Sequence, residues 1–139
     1  MSFDLVVFDP SEAPADRASF IKWWQKVSEW GEQSHDYNNP ELTTLPLRAW
    51  FMDMIAEFPP MNGPYAKDEL PEDEATVTDY TIAKALIYAG FAWSKGEQAG
   101  DAVVRFAERH RLGVFNVSSP DGQIYIPGPN GELQLAHSD

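Results

Sequence analysis

One stretch limits what this chain can fold into more than any other: Ala85 to Val117, which reads ALIYAGFAW, then SKGEQAGDAVVRFAERHR, then LGVFNV. Leu86 to Trp93 is an uncharged apolar run rich in aromatics, the pattern of a strand covered on both faces and therefore interior to a sheet. Ser94 and Glu97 have the spacing of a capping box, in which the Ser hydroxyl accepts from the backbone N–H of Glu97 and the Glu carboxylate accepts from the N–H of Ser94. Ala99, Ala102, Val103, Phe106 and Ala107 then recur at helical spacing, and Val114, Phe115 and Val117 open another strand after Gly113. Strand, helix and strand make a crossover unit, right-handed if the two strands run parallel in one sheet.

The rest of the chain supplies partners for that unit. Phe3 to Phe8 reads as a short apolar strand closed by Asp9 and Pro10. Asp9 or Ser11 can cap a first helix with Pro14 in its first turn, and Phe20, Trp23, Trp24, Val27 and Trp30 recur along it before Gly31 stops it. Trp23 and Trp24 are adjacent and cannot both face inward, which leaves one partly exposed and available to a ligand or partner. A second helix is capped by Thr43 or Thr44 and carries Pro46 in its first turn. It buries Leu47, Trp50, Phe51, Met54, Ile55 and Phe58, and ends at Pro59 and Pro60. Thr76 to Ala83 is extended but ambiguous, and Asn130-Gly131 turns an alternating QIYIP run back into ELQLAH. These segments predict a single α+β domain over residues 1–139, with a mixed sheet of about five strands (near 3–8, 85–93, 113–118, 123–127 and 132–136) and three helices packed against it.

The residue types present exclude several functions. With no cysteine there is no disulfide framework and no thiolate zinc site, and no apolar run reaches the roughly 20 residues that span a bilayer. The opening MSFDLVVFDP lacks a basic flank and a small-residue cleavage site, so a cytoplasmic location is expected. No glycine-rich phosphate loop, nucleophile elbow or HExxH is present, and no catalytic residue, cofactor or metal is expected. His35, Asp36 and Glu41 have ligating side chains but fall in a polar loop that reads as solvated surface. His110, in ERHR, suits the negative end of a helix dipole. Asp4 and Asp9 flank the first strand, where they meet water or line a pocket at its ends.

What remains is charge. Acids outnumber bases 22 to 10, giving a net −12, a balance that repels nucleic acid and anionic membranes and favours a basic protein partner. It is concentrated between Asp53 and Asp79, where eight acids face Lys67 alone, a local net of −7. Within that span Met61 to Asp79 reads MNGPYAKDELPEDEATVTD, a long segment without periodicity, of the kind that is usually functional or disordered. The expected partner-binding residues are Asp68, Glu69, Glu72, Asp73, Glu74 and Asp79, with Tyr65 and Tyr37 as apolar anchors.

The segments MSFDLVVF, YTIAKALIYAGFAWS, FAERHRLG and VFNVSSPDG resemble a family of small acidic bacterial proteins of uncharacterised function. The shared features are the MSFDL opening, the AWS that begins a helix, and a strand with Asp or Asn after paired apolar residues, here Asn116. Arg111 departs from the pattern at a helix end where glycine is expected. Such proteins are similar to the immunity partners of polymorphic toxins, so the resemblance implies a protein that binds and neutralises a cognate toxin. A different class is a small-molecule-binding domain or enzyme with a pocket between the aromatic helices and the sheet, walled by Trp23 or Trp24 and Tyr88.

Overall fold

The computed structural model describes residues 2–32 and 34–138; Met1 of the MSFDL opening lies outside them. Six strands form one open sheet: β1 (Ser2–Phe8), β2 (Asp79–Ile82), β3 (Leu86–Ala92), β4 (Gly113–Phe115), β5 (Ile124–Pro127) and β6 (Leu133–His137). Their order across the sheet is β2-β3-β1-β4-β5-β6, and every neighbouring pair is antiparallel. The α+β class therefore holds, while the expected mixed sheet of about five strands is corrected to an antiparallel sheet of six. The reason is where β1 inserts. β3 and β4 are both antiparallel to β1, so the strand–helix–strand unit does join two strands of the same direction, with β1 between them. The additional strand is β2, whose four residues alternate exposed and buried too briefly to stand out in the sequence.

Side-chain alternation along β1 divides the core. Leu5 and Val7 face Trp50, Phe51, Val103 and Phe106, whereas Val6 and Phe8 face Phe20 and Phe115. The helices α2 (Leu45–Met54) and α3 (Gly96–Arg109) cover the first face and α1 (Arg17–Val27) the second. Both faces are covered, as the uncharged β3 run requires, and Leu86, Ile87, Ala89 and Phe91 are buried. Trp93, read with that strand, instead sits in a tight 3-10 turn after it, 57% exposed.

Several helix boundaries differ from expectation for local reasons. Asp16, rather than Asp9 or Ser11, caps α1 by accepting from Ser19 N–H at 2.9 Å, while Asp9 accepts from the backbone and hydroxyl of Ser11 in a turn of its own. α1 ends at Val27, and Trp30 adopts φ +50° so that its ring returns to Tyr37 and Tyr88. Trp23 and Trp24 are both half-buried, Trp24 being stacked on Tyr88 with ring centroids 5.8 Å apart. The Ser94–Glu97 capping box is not formed: Trp93–Lys95 winds as a 3-10 turn, and the position that caps α3 falls to Lys95, whose side chain has no acceptor. At its other end α3 closes with a Schellman motif, Leu112 N–H donating to Ala107 C=O at 2.9 Å and Arg111 N–H to Glu108 C=O at 3.3 Å. Arg111 takes φ +57° there, the left-handed conformation for which glycine is expected. Gly113 follows, and a Cβ on it would lie 2.2 Å from the Phe8 ring, so β4 approaches β1 only because that side chain is absent.

Candidate partner-binding surface

Edge strands offer unpaired backbone groups, and the β2 edge is closed by two loops. Ile82 N–H donates outward to Tyr37 C=O at 2.7 Å. Further along, Thr78 N–H donates to Pro59 C=O and Met61 N–H to Thr78 C=O. The loops containing Tyr37 and Tyr65 also touch, because Gly63, at φ +93°, brings its Cα against Asn38; a Cβ there would sit 2.8 Å from the Asn38 carbonyl oxygen.

The long acidic segment is also fastened, by one of its own acids, to the turn that follows β3. Asp73 accepts from Ala75 N–H at 3.1 Å, starting a short 3-10 turn over Glu74–Thr76, and its carboxylate meets Lys95 Nζ at 2.5 Å. The hydrogen bond from the Lys95 ammonium holds the Asp73 carboxyl below the ordinary carboxylate range. Two further acids counted in the local charge face elsewhere: Asp53 pairs with Arg109 and His110, the latter at 2.7 Å, and Glu57 with Arg105, joining α2 and the residues after it to α3. Asp68, Glu69, Glu72, Glu74 and Asp79 are exposed and make no ion pair among the described residues. The acids available to a partner thus form a smaller set than the sequence suggests.

Lys95 belongs to the same turn as Trp93, so its bond to Asp73 fixes the acidic turn beside an exposed indole. The Trp93 ring meets Phe3 in a T-shaped contact, at 6.1 Å between ring centroids. Leu70 and Met61, 66% and 53% exposed, border a hollow of about 350 Å³ with Pro59, Pro71 and Val77. Of the two tyrosines expected as anchors, Tyr65 is 40% exposed with its edge on Phe51. Tyr37 is committed to packing, its ring against Trp30 and His35 and its hydroxyl accepting from Glu32 N–H. Sequence reading missed Trp93 because an aromatic ending an apolar run looks like core, and Leu70 because a lone leucine among acids has no period to reveal it.

Other polar groups tie elements of the fold together. Tyr88 donates its hydroxyl to Asp4; burial first, then that hydrogen bond and the Asp79 charge, push the phenol above its ordinary range. Burial does the same to Tyr80, which donates to Phe58 C=O at 2.8 Å. His35 Nε2 donates to Ile82 C=O at 2.7 Å and the Asp36 carboxylate accepts from Asn38 N–H. Among the described residues no group of three or more His, Asp or Glu is placed to hold a metal, and no helix is long and apolar enough to cross a membrane. Asp9 does line a cavity, of about 420 Å³, with Phe20, Ile124 and Arg111. A second, of about 400 Å³, opens between the end of α1 and the β2–β3 turn, with Trp23 but neither Trp24 nor Tyr88 in its wall. Comparison with family models, curated proteins and solved structures finds no match to this chain.

Proposed function

We propose that this protein is a stoichiometric inhibitor of the immunity type, which binds a basic toxin domain in the cytoplasm and occupies the site with which that toxin holds its anionic substrate. The observation that carries the reading is the exposed Trp93, fixed by the Lys95–Asp73 pair beside a turn whose neighbouring acids are unpaired. Exposed charge alone contributes mainly to encounter rate, whereas a tight complex needs an apolar anchor that becomes dehydrated on binding, and tryptophan is enriched among such anchors. Here the anchor and the charge adjoin. A protein that works by occupying a surface needs no nucleophile, cofactor or metal, in keeping with the motifs the sequence lacks.

Co-purification from cells that do and do not make a basic toxin domain tests the pairing, followed by titration of the captured protein with Trp93→Ala. The side chain is mostly exposed, so the variant folds, and its affinity is expected to fall by a factor of about 30 or more, corresponding to a loss of at least about 2 kcal/mol. Unchanged affinity for Trp93→Ala would remove this surface from the interface.

A further inference from the structure

We infer that the cavity between the C-terminal end of α1 and the β2–β3 turn is a binding site for a guanidinium group. It lies away from Trp93 and stands independently of the inhibitor reading. The cavity measures about 400 Å³, enough for a small organic ligand or an inserted side chain. Trp23 and Tyr37 supply aromatic wall, both half-buried, and Tyr37 is held in place by His35, whose ring centroid lies 4.5 Å away.

The polar groups of this wall are mainly acceptors. Glu12 and Glu32 make no ion pair among the described residues, and Lys26 and Glu29 satisfy each other at 3.3 Å. His35 must donate from Nε2, since its partner, the Ile82 carbonyl, can only accept; in the neutral ring Nδ1 is then a further acceptor. Lys84 is the one opposing cation, so the residual charge of the wall is negative. Two carboxylates from separate segments and an aromatic wall suit a flat cation better than a compact one. A guanidinium is weakly hydrated, stacks on aromatic rings and presents five N–H donors in a plane, so it can engage acceptors that do not converge on a point. A metal ion requires converging ligands, and no such group is present among the described residues.

Guanidinium chemistry has two sources, a free small molecule or an arginine of another protein, and a single NMR experiment addresses both. The indole N–H of Trp23 is the reporter; that of Trp50, buried and donating to Val103 C=O, is the internal control. Agmatine is titrated against N-methylurea, a neutral molecule with similar donors, and against a capped Gly-Arg-Gly peptide. The site predicts a saturable millimolar shift of the Trp23 signal with agmatine and none with N-methylurea, while Trp50 stays still. Saturation by the peptide as well identifies a protein-borne arginine as an acceptable source, and saturation by agmatine alone identifies a free ligand. The double variant Glu12→Gln/Glu32→Gln, altered only at exposed positions, is expected to bind about tenfold more weakly. The inference is overturned if agmatine fails to saturate, if N-methylurea produces the same shift, or if the double variant binds as wild type.

Discussion

A non-glycine residue in the left-handed region carries a steric cost between its Cβ and the following carbonyl, and Arg111 bears that cost at the end of α3. The Schellman hydrogen bonds around it would form equally well with glycine, because they use only backbone atoms. Arg111→Gly should therefore raise stability by about 1 kcal/mol, seen as a higher urea midpoint at unchanged slope, while Arg111→Ala, which keeps Cβ, stays near wild type. A lower midpoint for the glycine variant would mean that the arginine side chain makes a contact outweighing the backbone cost. The demand for glycine here was legible in the sequence, since helix ends have strong local rules. Ser94 shows the limit of such rules. Its spacing from Glu97 satisfies the capping box, but the turn holding it is tightened by two distant contacts, Trp93 on Phe3 and Lys95 on Asp73, which no local pattern reports.

Between strand and loop the same chain spans a wide range of local stability. β1 and β3 are hydrogen-bonded on both sides and buried on both faces, whereas the acidic segment depends on the edge of β2 and on the tether at Asp73. Because the Asp73 carboxyl is held below its ordinary value of 3.8, the tether contributes fully above that pH and is lost as pH falls through the lowered value. Asp73→Ala should accelerate hydrogen exchange at Ala75 and Val77, up to the rate of Lys67 to Glu69, and leave Ile87 to Phe91 exchanging near the global rate. Unaltered exchange at Ala75 would show that the turn is held by something other than Asp73. Elements were legible in proportion to their periodicity: the apolar β3 and the amphipathic α3 stand close to where the sequence puts them, and the aromatic α1 is present but shorter at both ends than expected. β2 was not, for an edge strand of four residues completed by loop carbonyls has only half of a strand's pattern to display.

Across the whole molecule the fold separates two kinds of surface. Strand order places β1, the first strand in sequence order, at the middle of the sheet between two strands encoded some 80 and 110 residues later, a non-local pairing that periodicity cannot reveal. The sequence nonetheless located the acidic segment, because charge is read by counting, and misjudged its free part where distant cations pair with it: Asp53 and Glu57 with α3 and the residue after it, and Asp73 with Lys95. Wrapping that segment around the β2 edge brings its fastening acid to Lys95, and with it the indole of Trp93, so the surface is assembled from residues distant in the chain.

Whether that surface meets a basic partner is most directly tested by association rate against ionic strength, measured by stopped flow with the co-purified protein. The variant Asp68→Lys/Glu69→Lys/Glu72→Lys/Glu74→Lys reverses four exposed, unpaired acids and spares the tether at Asp73, so it folds as wild type. Wild type should associate fast at low salt and slow as the screening length shrinks from about 10 Å at 0.1 M to about 3 Å at 1 M, and the variant should be slow at low salt, gaining nothing from further dilution. Equal association rates for the two proteins at low ionic strength would contradict the account and leave the acidic segment with no part in recognition.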